Sequence, residues 1–461
     1  MTNSTLRDDA LRITDDGFEL RVGLPWIRSL PIESLRDVSL RIDGESVDVH
    51  VDAADASWWH VQDRIALHSD EAIRPGPHEV TVSFALAIPY LPAGPDGPLV
   101  LPFRDARRLV ARAGDAPPAT PARAADREEP AFAPAAGLAP GWTLAASAFN
   151  WTPEVARADR SAAEIAVDVV AGGTADTIEI EAGQVCREFP TPGDREIDDL
   201  RDALASHGGR ASIVGASIDD WTPDGRRRTD DERLAFLVPQ LEAAARLGAV
   251  GARVPLGQAG PALLHRLLPI LHDLDITLFE EAQGHQTPDA AASGFADIAE
   301  LDDPRIRVLI DISMLMPALP VTYLERLRAH GLPEDFVRLL ETQWRDPSTQ
   351  GAVVELLRSG AVPGSAHTLF MDMLVRFGRS EAADLRGVLP LVSGIHLKFW
   401  DLDDEDGRVS TPIRRVGEEL RAAGFTGTLC SEWGGHEWLD EHPTEMTRAH
   451  LALARGELAA S

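Results

Sequence analysis

The sequence predicts an α/β protein, a (β/α)8 TIM barrel preceded by an all-β sandwich domain, and three observations carry that expectation. Over residues 17–89, short segments alternate apolar and polar side chains, the two-residue period of half-buried antiparallel strands. From Trp142 onward, eight brief apolar runs alternate with amphipathic helical patterns. The last four of those runs each stop at a carboxylate or an imidazole, as barrel strands do where they open on a shared mouth.

Residues 1–105 supply the sandwich. Val80, Val82, Phe84, Leu86 and Ile88 alternate with Thr81, Ser83, Ala85 and Ala87, and 17–22 repeats the pattern. Segments 38–42 and 47–51 flank Asp43-Gly44-Glu45-Ser46, a hairpin with a glycine turn. Residues 106–140 then shift to Ala, Pro, Arg and Asp. They lack the apolar side chains of a core, and their prolines favour an extended spacer, so a linker is expected. The barrel takes 141–461, with strands expected at 142–149, 177–183, 210–219, 251–257, 276–283, 307–313, 394–400 and 427–433. Between them lie helical patterns such as 231–247 and 261–274. The second opens on Pro261, which a first helical position tolerates, while Pro269 should kink or shorten it. The largest insertion, 314–393, is helical in pattern and should sit over or beside the mouth. A doubly wound open sheet would need a glycine-rich phosphate turn after its first strand, and Ala146-Ser147-Ala148-Phe149-Asn150-Trp151 is not one.

At 461 residues, 44% hydrophobic and 26% charged, the chain is sized and composed for two well-cored modules. A net charge of −30 argues against a phosphate-backbone ligand, so no nucleic-acid partner is expected. No apolar run approaches a membrane span, and Met1 to Asp16 holds no apolar leader segment. A soluble, cytoplasmic protein without a membrane partner is expected. Cys186 and Cys430 form no CxxC spacing, so neither a disulfide framework nor a thiolate zinc site is supported. A homo-oligomer remains open.

The four strand ends close on Glu281, Asp311, His396 and Glu432. Three carboxylates and one imidazole suit a divalent cation of borderline hardness, Mn²⁺ first, with Zn²⁺, Co²⁺ and Mg²⁺ as alternatives. Taken singly, an Asp after a strand often caps a helix, and a strand His often belongs to a core. Four such residues at successive strand ends favour a shared metal site. Glu280 competes with Glu281, because neighbours on a strand point to opposite faces. If Glu281 faces the mouth, Phe279 faces the barrel interior and Leu278 packs under the helices. The following Ala282-Gln283-Gly284 favours Glu281 as ligand and leaves Glu280 at the rim. Lys398 shares the face of His396 and could stabilise a developing oxyanion, or pair at the rim with Asp401 or Asp403. His285, on the loop past Glu281, is a candidate general base or a plain loop histidine. Glu280, Lys398 and His285 are thus the candidate catalytic groups, while Glu181, Arg253, Trp221 and His436 could line or back a sugar-sized pocket.

The Glu…Asp…His…Glu set on the last four strands resembles the sugar-phosphate isomerase/epimerase branch of xylose-isomerase-like barrels. His396-Leu397-Lys398-Phe399-Trp400, with Ser431-Glu432-Trp433 after it, is similar to the large subunit of C-glycoside deglycosidases. The amino-terminal module is similar to the small β-rich subunit of the same enzymes. It carries Gly17-Phe18, Arg21-Val22-Gly23-Leu24-Pro25-Trp26-Ile27-Arg28-Ser29-Leu30-Pro31, Ile42-Asp43-Gly44 and Ile88-Pro89-Tyr90. In that family the two subunits are usually separate chains, and here both stand in one. The resemblance implies cleavage of a sugar–aglycone bond in a small-molecule 3-oxo-glycoside. A ketone at C3 acidifies the C2 proton, a metal ion supports the enolate, and the C1 substituent departs. Elimination also accounts for a C–C bond breaking, since two-carboxylate hydrolysis needs a glycosidic oxygen to protonate. The family's base finds no clear counterpart around Glu280 to His285.

Two rivals follow from the same residues. A sugar or sugar-phosphate isomerase or 3-epimerase would use the same metal chemistry, but it gives the amino-terminal module no role. A non-catalytic carbohydrate-binding protein would leave the metal residues without a use.

Overall fold

The structure, a computed structural model, describes residues 5–52, 56–94, 97–113 and 137–460. Its amino-terminal part is built on two long antiparallel strands, Gly76–Pro92 and Pro98–Ala113, paired along most of their length. They lie within an eight-stranded sheet that also holds Leu11–Thr14, Gly17–Gly23, Leu35–Ile42 and Arg64–Ser69. The alternation read from the sequence sets which face is buried. Phe18, Leu20 and Val22 from one half share a core with Val80, Val82, Phe84 and Leu86 from the other. The sheet therefore closes on its own apolar face as two layers.

Residues 106–113, expected in the linker, instead complete the strand that ends at Ala113. Leu109 and Ala111 are buried there while the residues beside them face out, a strand period that the high Arg and Ala content masks. Most of the remaining linker, 114–136, lies outside the described residues.

Eight parallel strands close the second unit into a barrel. In chain order they are β1 (Trp142–Ser147), β2 (Thr177–Glu181), β3 (Arg210–Gly215), β4 (Gly251–Pro255), β5 (Thr277–Ala282), β6 (Ile306–Asp311), β7 (Val392–Phe399) and β8 (Gly427–Trp433). All eight lie within the expected segments or within two residues of them, and several stop earlier, three of them where a short helix begins at Ala148, Ala182 or Ile312. Phe279 meets Ile213 and Leu309 inside the barrel, whereas Leu278 joins the large core beneath the helices. That is the parity expected if Glu281 faces inward. The helix Gly260–Leu274 runs through Pro269 without ending there. Pro269 is solvent-exposed, so water can satisfy the backbone carbonyl it frees, while Leu263, Leu264, Leu267 and Leu271 stay buried on the opposite face.

The insertion between β6 and β7 forms helices Val321–Ala329, Glu334–Gln343, Pro347–Arg358 and His367–Val375 around a core of its own that includes Tyr323, Phe370 and Phe377. It leans on the mouth. Gly378 N donates to Ser313 O at 2.8 Å, and Arg376 Nη1 reaches both oxygens of Glu437 at 2.6 and 2.7 Å. At Gly284 (φ +55°) a Cβ would lie 2.2 Å from Val375 O, so the insertion closes on this loop only because no side chain stands there.

The sheet docks on loops at the carboxyl ends of β1 to β3. Gln62 Nε2 donates to Val155 O and Arg160 O at 3.0 and 2.8 Å, and Trp221 N donates to Pro89 O at 3.0 Å. Arg28 enters a buried pair with Asp219 at 2.8 Å. Among the described residues, no helix is long and apolar enough to cross a membrane.

Candidate metal centre

Parallel register decides which side chains meet. Asp311 lies opposite His396 across β6 and β7, and Lys398 lies opposite Glu432 across β7 and β8. Residues two apart on a strand share a face, so His396 and Lys398 both point into the mouth. Glu281 arrives from β5. One ligand atom each from Glu281, Asp311, His396 and Glu432 lies within 4.8 Å of the other three, and all four residues are buried. His396 Nδ1 is 3.0 Å from Glu281 Oε1 and 3.2 Å from Glu432 Oε2.

The residues fit a divalent cation on two grounds. Asp311 Oδ1 accepts from Ser313 N at 2.7 Å, but its Oδ2 is buried with no hydrogen-bond partner, an arrangement that a proton or a cation must relieve. Charge is the second ground. Five carboxylates, Glu179, Glu181, Glu281, Asp311 and Glu432, gather around two cationic side chains, Arg253 and Lys398. Burial pushes Asp311 up to about 6. Burial also works against a charged His396, yet Glu179, Glu432 and Glu281 outweigh it and raise its pKa well above the usual value.

Glu179 is the residue that sequence reasoning missed. It is fully buried on β2, and both its oxygens lie 3.1 Å from His396 Nε2. An Nε2–H donated to Glu179 leaves Nδ1 aimed at the carboxylates, the tautomer that a metal ligand needs. The signal was present in Thr177-Ile178-Glu179-Ile180-Glu181, whose period of two puts both glutamates on one face. Arg253 joins them, ion-paired to Glu179 and Glu181 and donating from Nη1 to Glu281 Oε2 at 2.9 Å. Asn150 was also missed. Its Nδ2 donates to Ser431 O at 3.2 Å and its Oδ1 accepts from Trp433 N at 2.7 Å, bracing the backbone on both sides of Glu432.

Lys398 Nζ donates to Glu432 Oε2 at 2.9 Å and lies 5.0 Å from the Phe149 ring centre. It does not pair with Asp401, which instead accepts from Thr322 N and Oγ1. His436 is buried between Phe149 and Trp433. Glu280 does not join the cluster. Strand parity turns it to the helix side of β5, where Oε2 accepts from Gly257 N at 3.0 Å and burial raises it to about 7. His285 is half-buried on its loop and faces the insertion, with Nε2 donating to Met373 O at 3.2 Å. A carbonyl can only accept, so Nδ1 is the ring nitrogen left to take a proton.

No protein-family model matches the chain. The chain is similar to the C-glycoside deglycosidase alpha subunit of Arthrobacter globiformis, 27% identical over 293 residues that cover 61% of this chain and 83% of that subunit. It is also similar to both subunits named for a Microbacterium 3'-dehydrocarminate deglycosidase. The alpha subunit is 27% identical over 294 residues, covering 60% of this chain and 84% of that one. The beta subunit is 27% identical over 117 residues, covering 22% and 88%. The resemblance to C-glycoside deglycosidases read from the sequence is borne out, with counterparts of both subunits in one chain. Among solved structures, the chain is similar to a D-psicose 3-epimerase, 15% identical with a TM-score of 0.40, covering 69% of this chain and 99% of that one.

Proposed function

We propose that this chain cleaves the bond between a sugar and an aromatic aglycone, C–C and also C–O, once the sugar's 3-hydroxyl has become a ketone. The observation that carries the reading is the convergence of Glu281, Asp311, His396 and Glu432 on one buried point beside Lys398. The names of the relatives support it, one of them specifying a 3'-dehydro substrate. We read the amino-terminal sheet as the counterpart of the separate beta subunit and the barrel as that of the alpha subunit.

A divalent ion held by those four residues, Mn²⁺ in the simplest case, would supply Lewis-acid stabilisation to substrate oxygens. The chain's own groups do the rest. Glu179 keeps His396 in the ligating tautomer, and Arg253 holds Glu179, Glu181 and Glu281 in one array. Lys398 places a cation where negative charge grows on the sugar as the C2 proton leaves. His285, kept neutral by burial, offers Nδ1 as the base for that proton. As C2–H breaks, its electrons form the C1=C2 double bond and the C1–aglycone bond opens. The leaving aglycone takes up one proton, which balances the one His285 removes from C2, and the sugar becomes an unsaturated 1,5-anhydro-3-ketose. No net oxidation occurs, so a separate oxidation must supply the 3-ketone.

The Mn²⁺-loaded protein should release aglycone from a 3-oxo-C-glucoside of a flavonoid and leave the unoxidised glucoside intact. C2 deuteration should slow turnover if proton removal limits the rate. Comparable turnover of the plain glucoside would refute the elimination.

A further inference from the structure

The loop after strand Gly17–Gly23 carries Trp26, and the end of strand Gly76–Pro92 carries Tyr90. Trp26 Nε1 donates to Tyr90 Oη at 2.8 Å. Both segments are fastened to the barrel. Ser29 N donates to Gly183 O at 2.9 Å, Gln184 Nε2 donates to Ile27 O at 2.8 Å, and Trp221 N donates to Pro89 O at 3.0 Å. Gly183, Gln184 and Trp221 all follow β2 or β3, at the carboxyl-terminal mouth. The Arg28 guanidinium stands 4.1 Å from the Tyr90 ring centre and is held there by Asp219, which is fully buried. One ring face of Tyr90 is thereby covered and its position set.

Trp26 and Tyr90 nevertheless remain partly exposed, whereas Arg28 and Asp219 are buried. The phenol oxygen already accepts from Trp26, and among the described residues nothing accepts its own O–H. Gly183 and Gln184, which hold Ser29 and Ile27, follow Glu181 by two and three residues, and Arg253 links Glu181 to Glu281. The aromatic pair therefore lies at the rim of the carboxylate cluster. The carboxylates and Lys398 suit sugar oxygens, which leaves the surrounding rim to meet a C1 substituent. We propose that Trp26 and Tyr90, supplied by the amino-terminal sheet, form the wall that receives the aromatic aglycone, with the Tyr90 O–H donating to an oxygen on it. This assignment rests on the reaction proposed above. Rings of this kind meet a planar phenolic ligand by stacking and by one polar handle.

The test is calorimetric titration of the full-length, metal-free protein with the flavone apigenin, with circular dichroism to verify each variant's fold. Trp26→Ala and Tyr90→Ala should each weaken apigenin binding by at least about tenfold, while Trp26→Phe should retain most of it through stacking. Binding of the aglycone-free sugar 1,5-anhydroglucitol to the Mn²⁺-loaded protein should stay within about twofold for all variants. Wild-type apigenin affinity in both alanine variants would overturn the assignment, as would an equal loss for apigenin and the sugar. A wild-type protein that fails to turn over 3-oxo-glycosides would instead remove the proposed reaction, whatever the apigenin affinities show.

Discussion

Replacing Glu179 by Gln removes a charge without changing the shape of a fully buried side chain. In the native arrangement, both carboxylate oxygens stand 3.1 Å from His396 Nε2, so either accepts its proton. An amide offers one acceptor, and its NH2 group must face a donor, either the imidazole or the Arg253 guanidinium. His396 then loses the partner that fixes its tautomer, and Nδ1 is no longer held toward Glu281 and Glu432. Loss of such an orienting carboxylate costs about 10- to 100-fold in metal affinity, or about 1.4 to 2.7 kcal/mol. Arg253 keeps Glu181 and Glu281 as partners, so the fold should survive. Titration of the metal-stripped protein with Mn²⁺ against a fluorescent chelator measures the change. Glu181→Gln is the control, because Glu181 pairs with Arg253 but makes no hydrogen bond to His396, and it should weaken binding less. An unchanged Mn²⁺ affinity in folded Glu179→Gln, or an equal loss in both variants, would refute the orienting role.

Glu432→Gln and His396→Ala should each lose bound metal and nearly all activity while keeping the barrel, as elemental analysis and circular dichroism would show. Full activity in a metal-stripped sample would sink the metal reading altogether. Arg28→Met leaves Asp219 buried and unpaired and should destabilise the protein by about 3–5 kcal/mol. Adding Asp219→Asn should recover part of that loss in urea denaturation, and purely additive losses would show that the pair is not coupled. Lys398→Ala should lower kcat by about 10²-fold with a smaller change in KM, since its charge is needed chiefly in the transition state. A change confined to KM would make Lys398 a binding group only.

Where a pattern is local, the sequence alone determined the outcome. The alternation in 79–89 foretold a strand buried on one face, because a period of two leaves no other way to hide Val80, Val82, Phe84 and Leu86 together. Eight apolar runs separated by helices foretold a closed parallel barrel, since parallel strands need helical crossovers and covered faces. Strand ends at Glu281, Asp311, His396 and Glu432 pointed to one mouth for the same reason. The parity of Phe279, Leu278 and Glu281 followed from the pleat.

Only the tertiary structure decided what depends on groups far apart in the chain. That Glu179 rather than Glu181 backs His396 depends on how far β2 is offset along its axis relative to β7, at a contact between residues 217 apart in the chain. Residues 106–113 belong to the sheet because a partner strand lies alongside them, which their Arg- and Ala-rich composition does not announce. Glu280 and Glu281 are chemically identical neighbours, and one backbone step separates a helix-side hydrogen bond to Gly257 from a place in the metal cluster. The docking of Arg28 on Asp219 joins residues 191 apart. Periodicity reports which face of a strand is buried, but it carries no information about what lies across the interface, and the mouth of this barrel is assembled across such interfaces.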